Sequence, residues 1–174
     1  MAIIIKQRQA VADNWQLLKA AADGSVTVPP DGAVIVPLAV WRAQCDALTA
    51  RSGKLGVWLD SNEDPALIAD DLKNFEVVAV NFPQFVDGRG YSIARLLRER
   101  YGWRGELRAI GDVLRDQLFY LAQCGFDAFA LRDGQDVQAA LSAFADFSDA
   151  YQTSVERPQP LFRRRALTVS SESA

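Results

Sequence analysis

Five short, almost uninterrupted apolar runs, each followed by a stretch with helical spacing, constrain this chain more than any other feature. They are Ala33 to Val36, Leu55 to Leu59, Val77 to Val80, Leu107 to Ile110 and Phe126 to Leu131. A strand with one wet face alternates apolar and polar residues, whereas a strand covered on both faces does not. The runs therefore predict buried strands of a parallel sheet with helices on both faces. The stretches between them place apolar residues three and four apart: Trp41, Cys45 and Leu48, then Ile93, Leu96, Leu97 and Tyr101, then Leu118, Leu121 and Ala122. A last stripe runs through Val137, Ala140, Leu141, Phe144, Phe147 and Tyr151. Gly53, Gly102 and Gly125 stand where helices stop, and Asp64-Pro65 is a capping residue followed by a good first helical residue. Five β-then-α units in succession predict an α/β fold with a mostly parallel sheet, in one domain spanning 1–151. Open three-layer order and partial-barrel order both fit.

The flanks differ in kind. Ala2 to Lys6 is rich in β-branched residues and Trp15 to Leu18 is a candidate partner, with turn chemistry at Asp13-Asn14. This predicts an N-terminal β-hairpin over 1–20. From Gln152 the chain carries two prolines, the run Arg163-Arg164-Arg165 and a serine-rich end. That composition predicts an extended tail over 152–174, disordered beyond Arg165.

Two absences limit the chemistry. The chain has no histidine, which excludes Ser-His-Asp and Cys-His catalysis and any histidine-bearing zinc or haem site. Its two cysteines, Cys45 and Cys124, form no C-x-x-C, and both fall on apolar helix faces, so both are expected as buried thiols. No metal site is expected, and no cofactor signature is legible. The net charge of −3 argues against nucleic acid or an anionic membrane as partner. The longest apolar run is far below the roughly 20 residues of a membrane span, and the N-terminus lacks a secretory core, so a cytoplasmic location is expected.

The charge is unevenly spread. Residues 60–76 carry six acids against Lys73, whereas seven of the fifteen arginines lie between Asp87 and Asp116. In parallel α/β folds ligands bind at the C-terminal strand ends. Those ends hold Asp60, Asn81, the turn Asp87-Gly88-Arg89-Gly90, Ser92, Asp112, Arg115 and Arg132. Gly88 and Gly90 would let backbone approach a ligand, Ser92 could cap the new helix, and Arg89 and Arg115 supply forked donors. Together these residues fit a small anion. The competing reading is a tight turn in which Arg89 pairs with Asp87 or Asp112. Asp60 and Asp112 are the weak candidates for acid–base catalysis; no catalytic motif accompanies them.

The run DGRGYSIARLLRERYGWRGELRAIGDVLRDQLFYLAQCGFDAFALRDG resembles the core of an uncharacterised bacterial family, a domain of unknown function. The likeness extends to the IIIK, DNWQLL and PLFRRR pieces. Members are described as probable oxidoreductases or accessory proteins of sulfite reduction, with genes tending to lie beside that of assimilatory sulfite reductase. The resemblance implies an accessory role in assimilatory sulfite reduction with sulfite reductase as partner. The residues themselves give the oxidoreductase description no support, for they hold neither a dinucleotide fingerprint nor a cysteine cluster. Two other readings stand beside it: an enzyme acting on a phosphorylated or carboxylated small molecule, and a structural module that forms a homodimer through its last helix.

Overall fold

Strand order decides between the two architectures. In the computed structural model, which describes residues 2–21, 26–146, 153–155, 158–160 and 163, eight strands form one sheet in the order β2-β1-β8-β7-β6-β5-β4-β3. The strands are β1 (Ile3–Lys6), β2 (Gln9–Ala12), β3 (Gln16–Leu17), β4 (Val34–Pro37), β5 (Leu55–Leu59), β6 (Val77–Phe82), β7 (Glu106–Gly111) and β8 (Ala128–Phe129). From β3 to β8 the neighbours are consecutive and parallel, so the order never reverses as it would in a doubly wound sheet. The sheet curls into a half-barrel, closed on one side by β1, which runs antiparallel to both β8 and β2.

The helical connections are α1 (Leu38–Thr49), a 3₁₀ helix over Pro65–Asn74, α2 (Arg89–Arg95) continuing as a π-turn over Leu96–Arg100, α3 (Leu118–Gln123) and α4 (Val137–Ala140). Asp64 caps the 3₁₀ helix by accepting the Ala66 N–H at 2.9 Å, and Pro65 follows as its first residue. Asp136 does the same for α4, accepting from Gln138 and Ala139.

Alternation along each strand sorts residues into two layers. Val34, Val36, Val57, Leu59, Val78, Val80, Leu107 and Ala109 join the helices in the larger core. Ile35, Val77, Ala79 and Ile110 form a second cluster, flanked by Trp15, Leu17, Trp58 and Ala130 and containing no helical residue among those described. The expectation of helices on both faces is therefore corrected: one face is helix-covered, and the other is apolar because curling turns it upon itself, as inside a barrel.

Three local expectations also change. The N-terminal hairpin exists, but the partner of β1 is Gln9–Ala12, whereas the stretch near Trp15 supplies β3 at the far edge. The tight turn is made by Gln7 and Arg8, both at positive φ (49° and 63°), without the glycine or asparagine that usually announces it. The last strand spans only Ala128–Phe129, because at Asp127 the carboxylate accepts the Leu107 N–H (2.8 Å) where a strand carbonyl would. Cys124 is buried as expected, but Cys45 is exposed. A break at Gln44 (φ −135°, ψ 25°) interrupts the turn of α1 between Trp41 and Cys45, so Trp41 and Leu48 stay buried and Cys45 does not. Phe147, Tyr151 and the end beyond Arg165 lie outside the described residues. Within them, no helix is long and apolar enough to cross a membrane.

Candidate functional site

All six parallel strands end at one rim, and alternation dictates which side chains lean into the concavity there. Trp58 lies on the concave face, so Asp60, two residues on, follows it. Ala79 leads likewise to Asn81, Leu17 to Lys19, and Ala130 to Arg132. The register aligns Leu59 with Val80, which brings Asp60 beside Asn81, and the Asn81 amide donates to the Asp60 carboxylate at 3.0 Å.

A cleft of about 610 Å³ opens at this rim, lined by Lys19, Asn81, Asp112, Arg132 and Asp133 over Leu17, Ile110 and Ala130. An inner lobe of about 280 Å³ shares Leu17, Lys19, Asn81, Ile110 and Gly111 with it and adds Ala20, Pro37 and Trp58. Gly111 has φ +95°, and a Cβ there would collide with the Phe82 carbonyl and the Asn81 amide oxygen at 2.4 and 2.5 Å. Only glycine lets β7 end in this way and leaves the floor open. The Trp58 indole N–H donates to the Leu18 carbonyl at 2.9 Å, which fixes the ring at the edge of the inner lobe.

The charges of the cleft are not equivalent. Arg132 donates to Asp112 at 2.9 Å, and the other Asp112 oxygen accepts the Phe85 N–H at 3.0 Å. Lys19 has no ion pair or hydrogen bond among the described residues, which makes its ammonium the charge most available to an incoming anion. Two acidic side chains of the lining, Asp112 and Asp133, would select against a highly charged anion and leave room for a singly charged one.

The arginine-bearing turn has a different environment. Arg89 grips Asp87 through both oxygens (2.9 and 2.7 Å) and also donates to Ser61 Oγ at 2.9 Å, while Ser61 donates to Asp87 at 2.7 Å. The hydrogen bond from Arg89 holds the Asp87 carboxyl well below the usual carboxylate range, and Asp87 in turn raises the Arg89 guanidinium. The bidentate edge that suits an oxyanion is thus occupied from within. Gly90 serves packing: a Cβ there would meet the Phe82 ring at 2.6 Å. Gly88 is exposed, with the Tyr91 ring as its nearest neighbour, and Ser92 lies a full turn inside a helix that begins at Arg89. Arg115 bonds Asp146 at 3.0 Å and Ser142 at 3.2 Å and shares no partner with Arg89.

Of the sequence-stretch candidates, the fold therefore brings Asn81, Asp112 and Arg132 into the cleft, with Asp60 directly behind Asn81. Arg89, Gly88, Gly90, Ser92 and Arg115 are not among its lining residues. Reading from the sequence missed Lys19, Trp58 and Asp133. Alternation from Leu17 to Lys19 would have found the lysine had its strand been placed beside Ala33 to Val36.

A family model described as a bacterial protein of unknown function, DUF934, matches residues 56–162, more than half of the chain. No curated protein matches it.

Proposed function

The chain belongs to DUF934, a family of bacterial proteins of unknown function, and from that premise we propose that it is an accessory protein of assimilatory sulfite reduction whose strand-end cleft receives a small anion. The observation that carries the anion reading is Lys19, a cation without a partner among the described residues, placed over a glycine-floored cleft. The place in sulfite reduction rests on the family resemblance. It makes sulfite, or an acid derived from it, the first anion to test and sulfite reductase the first partner. Barrel-type folds hold ligands at this end of their strands, so both the position and the charge support the reading.

Two experiments separate the parts. Titration of the protein with sulfite under anaerobic conditions, followed by amide chemical shifts, should move residues around Lys19, Asn81 and Gly111, and Lys19→Met should abolish the response. Tagged protein should co-purify sulfite reductase, and deletion of the gene should slow growth on sulfate as sole sulfur source. A cleft indifferent to anions removes the binding part; normal growth and no association remove the metabolic part.

One observation favours an enzymatic alternative. Asp112 lies in the lining, at hydrogen-bond distance from Arg132, where a carboxylate could exchange a proton with a bound phosphorylated or carboxylated substrate. Asp60 is not among the lining residues and is joined to them by the hydrogen bond it accepts from Asn81. Turnover abolished by Asp112→Asn, with ligand binding retained, would mark that reading as the correct one.

A further inference from the structure

We propose that the ligand of this cleft is an organic anion with a flat apolar body, such as an aryl sulfonate or aryl carboxylate, rather than a bare inorganic oxyanion. The inference rests on the anion reading above and adds the class of molecule.

The two lobes differ in chemistry. Beyond the residues they share, the outer one adds the charged Asp112, Arg132 and Asp133, whereas the inner one adds only Ala20, Pro37 and Trp58. Lys19 and Asn81 belong to both, together with Leu17 and Ile110, so an anion held at Lys19 has the Trp58 and Pro37 walls within the adjoining lobe. A tetrahedral or pyramidal oxyanion fills roughly the space of two or three waters, about 60–90 Å³ at about 30 Å³ per water. Seated at Lys19, it would leave most of the inner lobe, about 280 Å³, to water against indole, proline and aliphatic carbon. A flat ring in that lobe would displace this water and lie against the indole face.

The geometry of Trp58 adds a second argument. Its neighbours on β5 that face the helices, Val57 and Leu59, are completely buried, but Trp58 itself remains half-buried at the lobe. Its N–H is already satisfied by Leu18, so what the ring offers a ligand is its apolar face and edge, not a donor. The charge pattern agrees. Lys19, without a partner among the described residues, is the one cation of the lining not already held by an acid, and the two acids Asp112 and Asp133 oppose more than a single negative charge, which is what a sulfonate or carboxylate carries.

The test uses the full chain with ¹⁵N-labelled indoles, titrated separately with benzenesulfonate, benzoate and sulfite. The expected result is that the Trp58 indole signal shifts with both aryl acids and that benzenesulfonate binds at least tenfold more tightly than sulfite. Trp58→Leu should weaken benzenesulfonate at least fivefold and leave sulfite unchanged, while Lys19→Met should weaken both. Trp58→Phe, which keeps a ring, should restore most of the aryl affinity and controls for any loss of folding. Sulfite binding as tightly as benzenesulfonate, with Lys19 dependence, overturns this inference and leaves the anion reading standing. Failure of every anion to bind in a Lys19-dependent way overturns both.

Discussion

Each end of the sheet carries an arginine–aspartate pair, and the two pairs behave in opposite ways. At the N-terminal strand ends Arg98 is buried and donates to the carbonyls of Gly125, Trp103 and Gly105 and to Asp127. Burial lowers its guanidinium, and burial raises the Asp127 carboxyl. Both shifts favour the neutral forms, so lost hydration outweighs the mutual attraction there. At the C-terminal ends the Arg89 side chain is mostly exposed, and Asp87 is lowered first of all by its hydrogen bond to Arg89. The lower rim is a set of closed structural clasps; the upper rim is a hydrated network beside an open cleft. Barrel folds divide stability and function between their two faces in this way, which is why the cleft proposed above is sought at the upper rim.

The comparison breaks most sharply at Arg108. On the concave face it is 2 % exposed and bonded to Glu106 at 2.7 Å and Asp13 at 2.9 Å, while Lys6 closes the group at 2.8 Å from Glu106. Arg108→Met should take a partner from two largely buried acids, Asp13 and Glu106, and cost about 3–5 kcal/mol, read as a lowered urea midpoint. Arg98→Met should cost about 3 kcal/mol, since three carbonyls lose their donor but Asp127 can still reach water. A loss below about 1 kcal/mol for both, the range of an exposed pair, would dissolve the distinction between the rims.

Gly90→Ala comes next. The added methyl runs into the Phe82 ring, which should cost about 1–3 kcal/mol as overpacking, with anion affinity unchanged. Reduced anion binding at undiminished stability would instead return Gly90 to the ligand.

What could be read from the sequence follows the same division. The apolar runs and the caps Asp64 and Pro65 are local signals, and β5 is found at Leu55–Leu59 as expected. The strand ends of the central units were therefore legible, and Asn81, Asp112 and Arg132 with them. Two kinds of information were not local. The turn at Gln7 and Arg8 carries no turn residue, so the first partner strand was misplaced and Lys19 lost its position. The curl of the sheet, set by strand pairing across the whole domain, turned a face expected under helices into the wall of a cleft. The emphasis on Arg89 had a physical cause as well: residue type and glycine neighbours suggest an anion site equally whether or not an aspartate two positions away fills the fork.

At the upper rim, stability should respond little. The Arg132–Asp112 pair is partly exposed, so Arg132→Ala should cost no more than about 1 kcal/mol, and Lys19→Ala should fall within about 0.5 kcal/mol of the parent. The same two variants should weaken sulfite or benzenesulfonate binding, Lys19→Ala the more strongly. A large drop in urea midpoint for Lys19→Ala would mean that this lysine is a structural member and not a ligand contact.

The subtlest difference is one of protonation, and carboxyl ¹³C titration resolves it. Asp127, raised by burial, should titrate above the ordinary carboxylate value near 3.9. Its native form takes up a proton before the unfolded chain does. The cost of its buried charge is therefore fully present above the raised value and is relieved as pH falls from there towards about 3.9. Asp87 is depressed, so the sign reverses: its stabilising contribution is present above about 3.9 and is lost only as pH falls through the depressed value. As pH falls to about 3.9 the native protein should thus hold Asp87 ionised while Asp127 is taking up its proton, and Arg89→Ala should raise Asp87 towards the ordinary range, with Ser61 still bonded to it, while leaving Asp127 in place. If Asp87 titrates normally in the parent protein, the clasp with Arg89 is open in solution. The guanidinium fork would then be free for an external anion, beside the cleft proposed above.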